Sequence, residues 1–181
     1  MPFGELLREK QDAIVGSWLA RELAAYGEEA SKAFSREKDP FANPVGHNLR
    51  VTTREIFEAL LEETGDDEIR EKLLEIVRIR AVQQFTPSQA VGFVFSLKEV
   101  ARTELGKALK DPGHLDEMVR FERQIDRVAL VAFDIFVECR EQMSELRINE
   151  VKRSVSWVMK KMNQHQVNES PHDNGQREGV R

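Results

Sequence analysis

Residues 85–98 read FTPSQAVGFVFSLK, and this stretch predicts the start of a helix. Thr86 can accept a hydrogen bond from the backbone N–H three residues later, and Gln89 can reach back to complete a capping box. Pro87 fits the first helical position, where its missing N–H would have no partner in any case. We expect this helix to end before Asp111-Pro112-Gly113. The apolar residues that follow the cap are Ala90, Val91, Phe93, Val94, Phe95, Leu97, Val100, Ala101 and Leu105.

Amphipathic patterns predict further helices on both sides of this one. Upstream, apolar residues recur at helical spacing from Phe3 to about Tyr26, from Leu49 to Leu61 and from about Glu68 to Gln83. A polar stretch with two prolines, residues 27–44, separates the first of these helices from the second. Downstream, the pattern runs from Leu115 past Met143 without a glycine or a proline. The sequence therefore predicts an all-α bundle of about five to six helices with a long C-terminal helix.

The composition agrees with a single helical domain of 181 residues. Charged residues make up 33% of the chain, and there are only 10 glycines and 6 prolines, which favours long helices with ion-paired outer faces. A single cysteine excludes a disulfide framework, so we expect a reducing compartment. The N-terminus lacks the basic and apolar parts of a signal peptide, and the most apolar window, Val128–Val137, is too short to cross a bilayer. We therefore expect a cytoplasmic protein without membrane insertion.

The last predicted helix changes character along its length. Between Val128 and Val137 nearly every residue is apolar, which is typical of a helix that is covered on all sides. We expect the bundle to cover one side and a second chain to cover the other, with Phe136 at the dimer interface. Farther along, spacings of four, three and four residues predict the seam of a short coiled coil within the same homodimer. Its members are Val151, Val155, Val158 and Met162.

These patterns divide the chain into three parts. We expect residues 1–146 to form the helical domain and residues 147–162 to form a helical extension. Residues 163–181 are almost all polar and show no periodicity, so they are predicted to form a disordered tail.

The charge is also unevenly divided. Residues 147–161 carry five cationic side chains against Glu150, a net charge of +4, which leaves −9 for the rest of a chain whose total is −5. This basic segment is either a solvated helix face or a docking surface for an acidic partner or nucleic acid. Because so few cations on an acidic protein would bind DNA weakly, we predict no nucleic-acid partner.

The sequence contains no motif of known catalytic or metal-binding chemistry. The four histidines and Cys139 show none of the spacings of zinc or haem sites, and Cys139 continues an apolar stripe that is typical of a core. Phosphate-binding glycine loops and the nucleophile elbow are absent as well. We therefore predict that the protein is not an enzyme and that it carries no metal and no cofactor.

Four residues are candidates for a ligand pocket. Asp134 interrupts the apolar window, where an unpaired charge would be costly. It either faces water, pairs with an arginine of another helix, or anchors a ligand. The side chains of Trp18, Phe93 and Phe133 either fill the core or line a cavity for an apolar ligand. Both interpretations stay open at the level of the sequence.

Three segments together resemble a known family. They are residues 6–19, which include Ile14-Val15-Gly16-Ser17-Trp18-Leu19, residues 43–46, Asn43-Pro44-Val45-Gly46, and the capped segment 85–98. Over about residues 5–140 the chain is similar to the RsbRD-type N-terminal domain, the sensor half of stressosome co-antagonist proteins. That resemblance implies a globin-like, haem-free helical domain that dimerises. It further implies a signal that passes along the last helix into an appended STAS domain, which binds a switch kinase and anti-sigma-type partners.

The chain departs from this family pattern after Met162, where only a polar tail follows. We therefore expect a free-standing sensor module whose last helix ends in a dimer seam or on a separate protein of the STAS-domain or switch-kinase type. The first functional hypothesis is a non-enzymatic, homodimeric sensory or regulatory module in stress signalling. The alternative is a small protein that binds an apolar ligand inside the helical bundle.

Overall fold

The computed structural model describes residues 1–24, 26–27, 43–83 and 85–168, with side chains as far as residue 162. Within these residues there are six α-helices, one 3-10 helix and no strand. The helices are α1 (Phe3–Glu9), α2 (Gln11–Ala24), α3 (Pro44–Glu62), α4 (Asp66–Val82), α5 (Pro87–Leu105) and α6 (Pro112–Asn168), and the 3-10 helix is Gly106–Lys110. The prediction of an all-α bundle with a long C-terminal helix is confirmed. No helix in the described part of the chain is long and apolar enough to span a membrane.

The helix predicted from Phe3 to Tyr26 consists of two helices that meet at Lys10. Lys10 leaves helical geometry at φ −92° and ψ 0°, although its N–H still bonds to the Leu6 carbonyl. Since neither glycine nor proline stands at this break, no helix-breaking residue could have predicted it. Each half buries its own apolar residues, Phe3, Leu6 and Leu7 in α1 and Ile14, Val15, Trp18 and Leu23 in α2.

The chain divides into two compact units, residues 1–140 and residues 141–181. The expected boundary was residue 146. The earlier boundary agrees with burial, because no side chain of α6 from residue 140 to residue 162 is buried, and Cys139 is. In the second unit α6 continues to Asn168, so its helix includes the first residues of the segment that was predicted to be disordered. Residues 169–181, the rest of that predicted tail, lie outside the described part of the chain, as does most of the polar stretch at 28–42.

Four helices of the first unit surround one core. Helix α2 packs against α3 and α5, and α4 packs against the same two helices. Helix α6 supplies further core residues, and the Phe121 ring meets the Phe57 ring of α3 edge to face with 6.1 Å between centroids. Two ion pairs, Lys98–Asp126 and Arg102–Glu122, join α5 to α6 and show that these helices run antiparallel. The fully buried residues of α6 are Met118, Ile125, Val128, Ala129, Ala132 and Ile135.

The two best-defined helix starts follow the sequence. In α5, the Gln89 N–H donates to Thr86 Oγ1 at 3.3 Å and the Thr86 N–H donates to Gln89 Oε1 at 3.0 Å, which confirms the predicted capping box. In α3, Asn43 is the N-cap and its Oδ1 accepts from the Gly46 N–H at 2.9 Å. A Cβ at Gly46 would lie 2.3–2.8 Å from the Asn43 side chain, so the cap requires glycine there.

We expect Thr86→Ala to lower the free energy of unfolding by about 1 kcal/mol, because it removes the side-chain half of the α5 cap. Thr103→Ala is the matched control, since the Thr103 hydroxyl is exposed and bonds only to the Glu99 carbonyl of its own helix. That change should alter the stability by less than about 0.5 kcal/mol. Chemical denaturation followed by circular dichroism measures both. Equal losses in the two variants would show that the box does not stabilise the bundle.

Candidate functional site

Trp18 and Phe93, two of the four predicted pocket residues, lie together in the core. Their rings stack with 6.1 Å between centroids and an interplanar angle of 8°. The Trp18 indole N–H donates to the Phe93 carbonyl at 2.7 Å, and the Trp18 side chain is fully buried. These two aromatic residues therefore fill the space between α2 and α5 and leave no chamber between themselves.

Phe133 and Asp134, the other two predicted pocket residues, are exposed on α6. The Phe133 side chain is 45% exposed, and neither residue lines either of the two cavities described below. Of the interpretations left open for Asp134, the structure fits the one in which the carboxylate faces water. The four residues do not form one pocket, because α6 turns these two away from the core that holds Trp18 and Phe93.

A buried ion pair lies beside the Trp18–Phe93 stack. Arg80 of α4 is 1% exposed, and its Nη2 is 3.2 Å from Oε2 of Glu22, which is also buried. The other carboxylate oxygen of Glu22 accepts from the Ser96 hydroxyl at 2.9 Å. The Arg80 guanidinium carbon lies 4.4 Å from the Phe93 ring centroid, within cation–π range. The pair thus ties together α2, α4 and α5.

Neither Glu22 nor Arg80 is among the site residues predicted from the sequence. A signal for both was present, since Glu22 follows Trp18 by four residues and Arg80 follows Ile76 by four. Residues four apart share a helix face, so each charge falls on the apolar face of its helix. Two opposite charges at such positions in different helices predict a buried pair, because a lone buried charge would be far too costly.

A cavity of about 330 Å³ opens beside this ion pair. Its walls include Phe85, Phe93 and Ser88 together with Glu22 and Arg80. The Arg80 guanidinium also donates to the Gln89 carbonyl at 3.3 Å, but its Nε–H has no hydrogen-bond acceptor among the described residues. The cavity therefore combines aromatic walls with charged groups. A second cavity of about 180 Å³ lies between α1, α3 and α6.

The residues with potential catalytic or metal chemistry are scattered. No group of three or more His, Cys, Asp and Glu side chains that could hold a metal occurs in the described part of the chain. Cys139 is a buried free thiol. His114 bonds through Nδ1 to the Ala108 carbonyl at 3.0 Å and through Nε2 to the Met1 carbonyl at 3.1 Å. Both acceptors favour the doubly protonated ring and raise the pKa of His114, with the Ala108 carbonyl as the largest cause.

The predicted dimer residues fall into two different environments. Phe136 is 3% exposed and packs into the core of the first unit, so it offers no surface to a second chain. The four predicted seam residues in the second unit are all exposed. Exposed Ile148 and Met159 belong to the same helix face, which their spacing from the seam could have shown. The seam residues are Val151, Val155, Val158 and Met162.

The first unit has an exposed apolar patch of its own. Leu130 is 66% exposed and Phe133 is 45% exposed, and they lie on α6 within the window that was expected to be covered on all sides. Phe95 of α5 is also 45% exposed. It stands one turn before Lys98 of the same helix. Lys98 pairs with Asp126 of α6, and Asp126 stands one turn before Leu130. Because α5 and α6 are antiparallel, Phe95 and Leu130 lie at the same level of the bundle. We call Phe95, Leu130 and Phe133 the bundle patch.

Comparison with known proteins yields a family for most of the chain. A family model described as RsbT co-antagonist protein rsbRD N-terminal domain matches residues 12–151. The resemblance inferred from the sequence over residues 5–140 is thereby confirmed. No curated protein and no solved structure matches the chain.

We expect Glu22→Leu to lower the free energy of unfolding by about 3–5 kcal/mol, because it leaves the Arg80 guanidinium buried without a carboxylate. The double variant Glu22→Leu/Arg80→Met replaces the pair by apolar groups and should recover most of that loss. Arg54→Met is the matched control, since it breaks the largely exposed Arg54–Asp12 pair and should cost less than about 1 kcal/mol. Denaturant titration of all three variants tests this. If the double variant were as unstable as the single one, the ion pair would not be the source of the loss.

Proposed function

We propose, because the chain belongs to the family of the RsbT co-antagonist protein rsbRD N-terminal domain, that it is a non-enzymatic sensory or regulatory module which acts by dimerisation and by contacts with other proteins. The family match supports the regulatory role. We further propose that the module works in the cytoplasm in stress signalling, and that its output partner is a protein of the STAS-domain or switch-kinase type.

The observation that carries the dimer proposal is the bundle patch. Large apolar side chains that cluster on an otherwise polar surface mark interaction sites. Leu130 and Phe133 stand one turn apart on one face of α6, and Phe95 extends the patch onto α5. In a two-fold homodimer the same patch faces itself, so an apolar centre is automatically complementary.

The edge of the bundle patch is compatible with self-association. Lys98 and Asp126 stand beside it, and their side chains are 2.6 Å apart, so this edge carries no net charge. The Lys98 ammonium also lies 5.7 Å from the Phe95 ring centroid, which holds the cation against the patch. Two copies can therefore meet at this patch without bringing like charges together at this edge. We propose this patch, in place of Phe136, as the dimer contact of the first unit.

A specific observation favours the alternative function as well. The cavity beside Arg80 has aromatic walls and an Nε–H without an acceptor among the described residues, a combination that suits a small ligand with an apolar body and a polar end. Native mass spectrometry after gentle purification discriminates the two functions. Persistent extra mass, together with a rise in melting temperature, would favour a ligand-binding protein, and its repeated absence would argue against one.

We expect the protein to sediment as a dimer at about 50 µM, and Leu130→Asp to make it monomeric, because a charge at the centre of the bundle patch would be desolvated in the dimer. Val82→Asp is the matched control, since Val82 is as exposed as Leu130 but stands at the end of α4. The control should remain a dimer, and both variants should stay folded, because both changes are at exposed positions.

Phe136→Asp should behave differently from both, because Phe136 is buried and the change places a charge in the core. We expect it to lower the melting temperature or to unfold the bundle at any protein concentration. Analytical ultracentrifugation and thermal melts read out the three variants. A monomeric unmodified protein at this concentration would rule out the dimer.

A further inference from the structure

We propose that the second unit docks onto an acidic amphipathic helix of another protein through one face of α6. The face consists of six exposed apolar residues, which we call the C-terminal face, and the partner helix would lie along it as in a two-helix coiled coil. This inference rests on the proposed function in one respect, which is that the module acts through a contact with another protein. It adds the chemistry of that other protein. The C-terminal face consists of Ile148, Val151, Val155, Val158, Met159 and Met162.

The six residues form a continuous stripe. Successive residues of an α-helix are rotated by about 100° around its axis. With that rotation, the six side chains all fall within one arc about 100° wide. Their side chains are between 46% and 63% exposed, so the described residues of the chain leave all six largely uncovered. Steps of three and four residues link Ile148, Val151, Val155, Val158 and Met162, which is the spacing of knobs in a coiled-coil seam.

Cations border this stripe on both sides. Arg147 lies about 20° beyond one edge of the arc and Lys152 lies about 20° beyond the other. The only carboxylate between residues 147 and 162 is Glu150, which lies well away from both edges. Side chains at the edges of a coiled-coil seam face the edges of the partner helix and select it by charge. A partner with Glu or Asp at its own edges therefore complements this face.

The same charges disfavour a second copy of this chain. In a parallel pair, Arg147 would face Lys152 of the second copy. In an antiparallel pair centred on Ser154, Arg147 would face Lys161 of the second copy. Both registers bring like charges together at the seam, and between residues 147 and 162 no carboxylate stands at an edge position to offset them. The C-terminal face thus differs from the bundle patch, where the charges of Lys98 and Asp126 cancel at the edge.

The apolar residues also favour a protein helix over a lipid surface. The C-terminal face contains three valines, one isoleucine and two methionines, and β-branched residues at seam positions suit helix–helix packing. Trp157 and Leu146, the residues that would insert best at a membrane interface, lie on the opposite side of the helix. The Lys161 ammonium lies 5.1 Å from the Trp157 ring centroid, so that ring already contacts a cation of the chain itself.

The test uses a fluorescent synthetic peptide of three heptads, with Ile and Leu at the seam positions and Glu at every edge position. We expect the full chain to bind it, as measured by fluorescence anisotropy, and to bind an otherwise identical peptide with Lys at the edges at least about tenfold more weakly. Because the edge charges are exposed, raising the salt concentration should weaken binding of the acidic peptide.

A matched pair of charge reversals locates the binding face. Arg147→Glu/Lys152→Glu reverses the two edge cations and should weaken binding of the acidic peptide by about tenfold or more. Arg153→Glu/Lys160→Glu changes the net charge by the same amount on the opposite side of the helix and should leave binding within about twofold. All four side chains are exposed, and circular dichroism should show unchanged helix content in both variants.

Several outcomes would overturn the proposal. Equal losses in the two double variants would mean that the peptide senses only overall charge, and equal binding of the acidic and basic peptides would mean that edge charge does not select the partner. If Val155→Asp dissociated a homodimer, the occupant would be a second copy. Vesicles containing phosphatidylserine test a membrane as the partner. If they bound the full chain but not the Arg147→Glu/Lys152→Glu variant, and still bound the Arg153→Glu/Lys160→Glu variant, the C-terminal face would bind a membrane. The Leu130→Asp variant keeps this test separate from the dimer proposal, because a monomer with an intact C-terminal face should still bind the acidic peptide.

Discussion

Burying the guanidinium of Arg80 requires a carboxylate beside it, and this requirement links the three helices around the core. Glu22 of α2 and Arg80 of α4 meet at 3.2 Å, and Ser96 of α5 donates to the same carboxylate. Taking two charges out of water costs about as much as their attraction returns, so the pair adds little net stability compared with apolar residues of the same size. Its effect is geometric, because other alignments of α2, α4 and α5 would separate the charges inside the core. The Trp18–Phe93 stack and its hydrogen bond align α2 with α5 in the same part of the core.

Sequence patterns predicted those features of the fold that depend on neighbouring residues. The α5 cap needs only Thr86, Pro87 and Gln89, so its geometry could be derived before any tertiary contact was known. The break at Lys10 depends instead on how α1 and α2 fit the core, and no glycine or proline announces it. The ion pair between Glu22 and Arg80 lies between these cases. The sequence shows a charge on each apolar face, but it does not show that α2 and α4 bring the two charges together.

The assignment of functional residues on α6 was limited because the sequence pattern did not show which side of this helix faces the core. Where almost every residue from Val128 to Val137 is apolar, the pattern no longer shows which side faces the core. Phe133 and Phe136 point only about 60° apart on a helical wheel, and the boundary between core and surface falls between them. The sequence therefore favoured Phe136 for the dimer and Phe133 for a pocket, whereas the structure buries Phe136 and exposes Phe133. Beyond residue 146 polar residues alternate with the apolar ones, so the phase is defined and the seam residues are all exposed as one face.

The charges around the two apolar surfaces distinguish the partners that each can accept. An apolar surface alone does not discriminate, because any hydrophobic partner gains from covering it, and specificity comes from the groups at the edge. At the bundle patch, Lys98 and Asp126 neutralise each other, so a copy of the same surface meets no repulsion from this edge. At the C-terminal face both edges are cationic, so a copy is repelled and an acidic helix is attracted. The net charge of −5 conceals this difference, because it adds an acidic bundle to a basic helix. On these proposals, the bundle patch joins two copies of the chain and the C-terminal face of α6 stays available to a different protein, which is the arrangement that a regulatory dimer needs in order to pass on a signal.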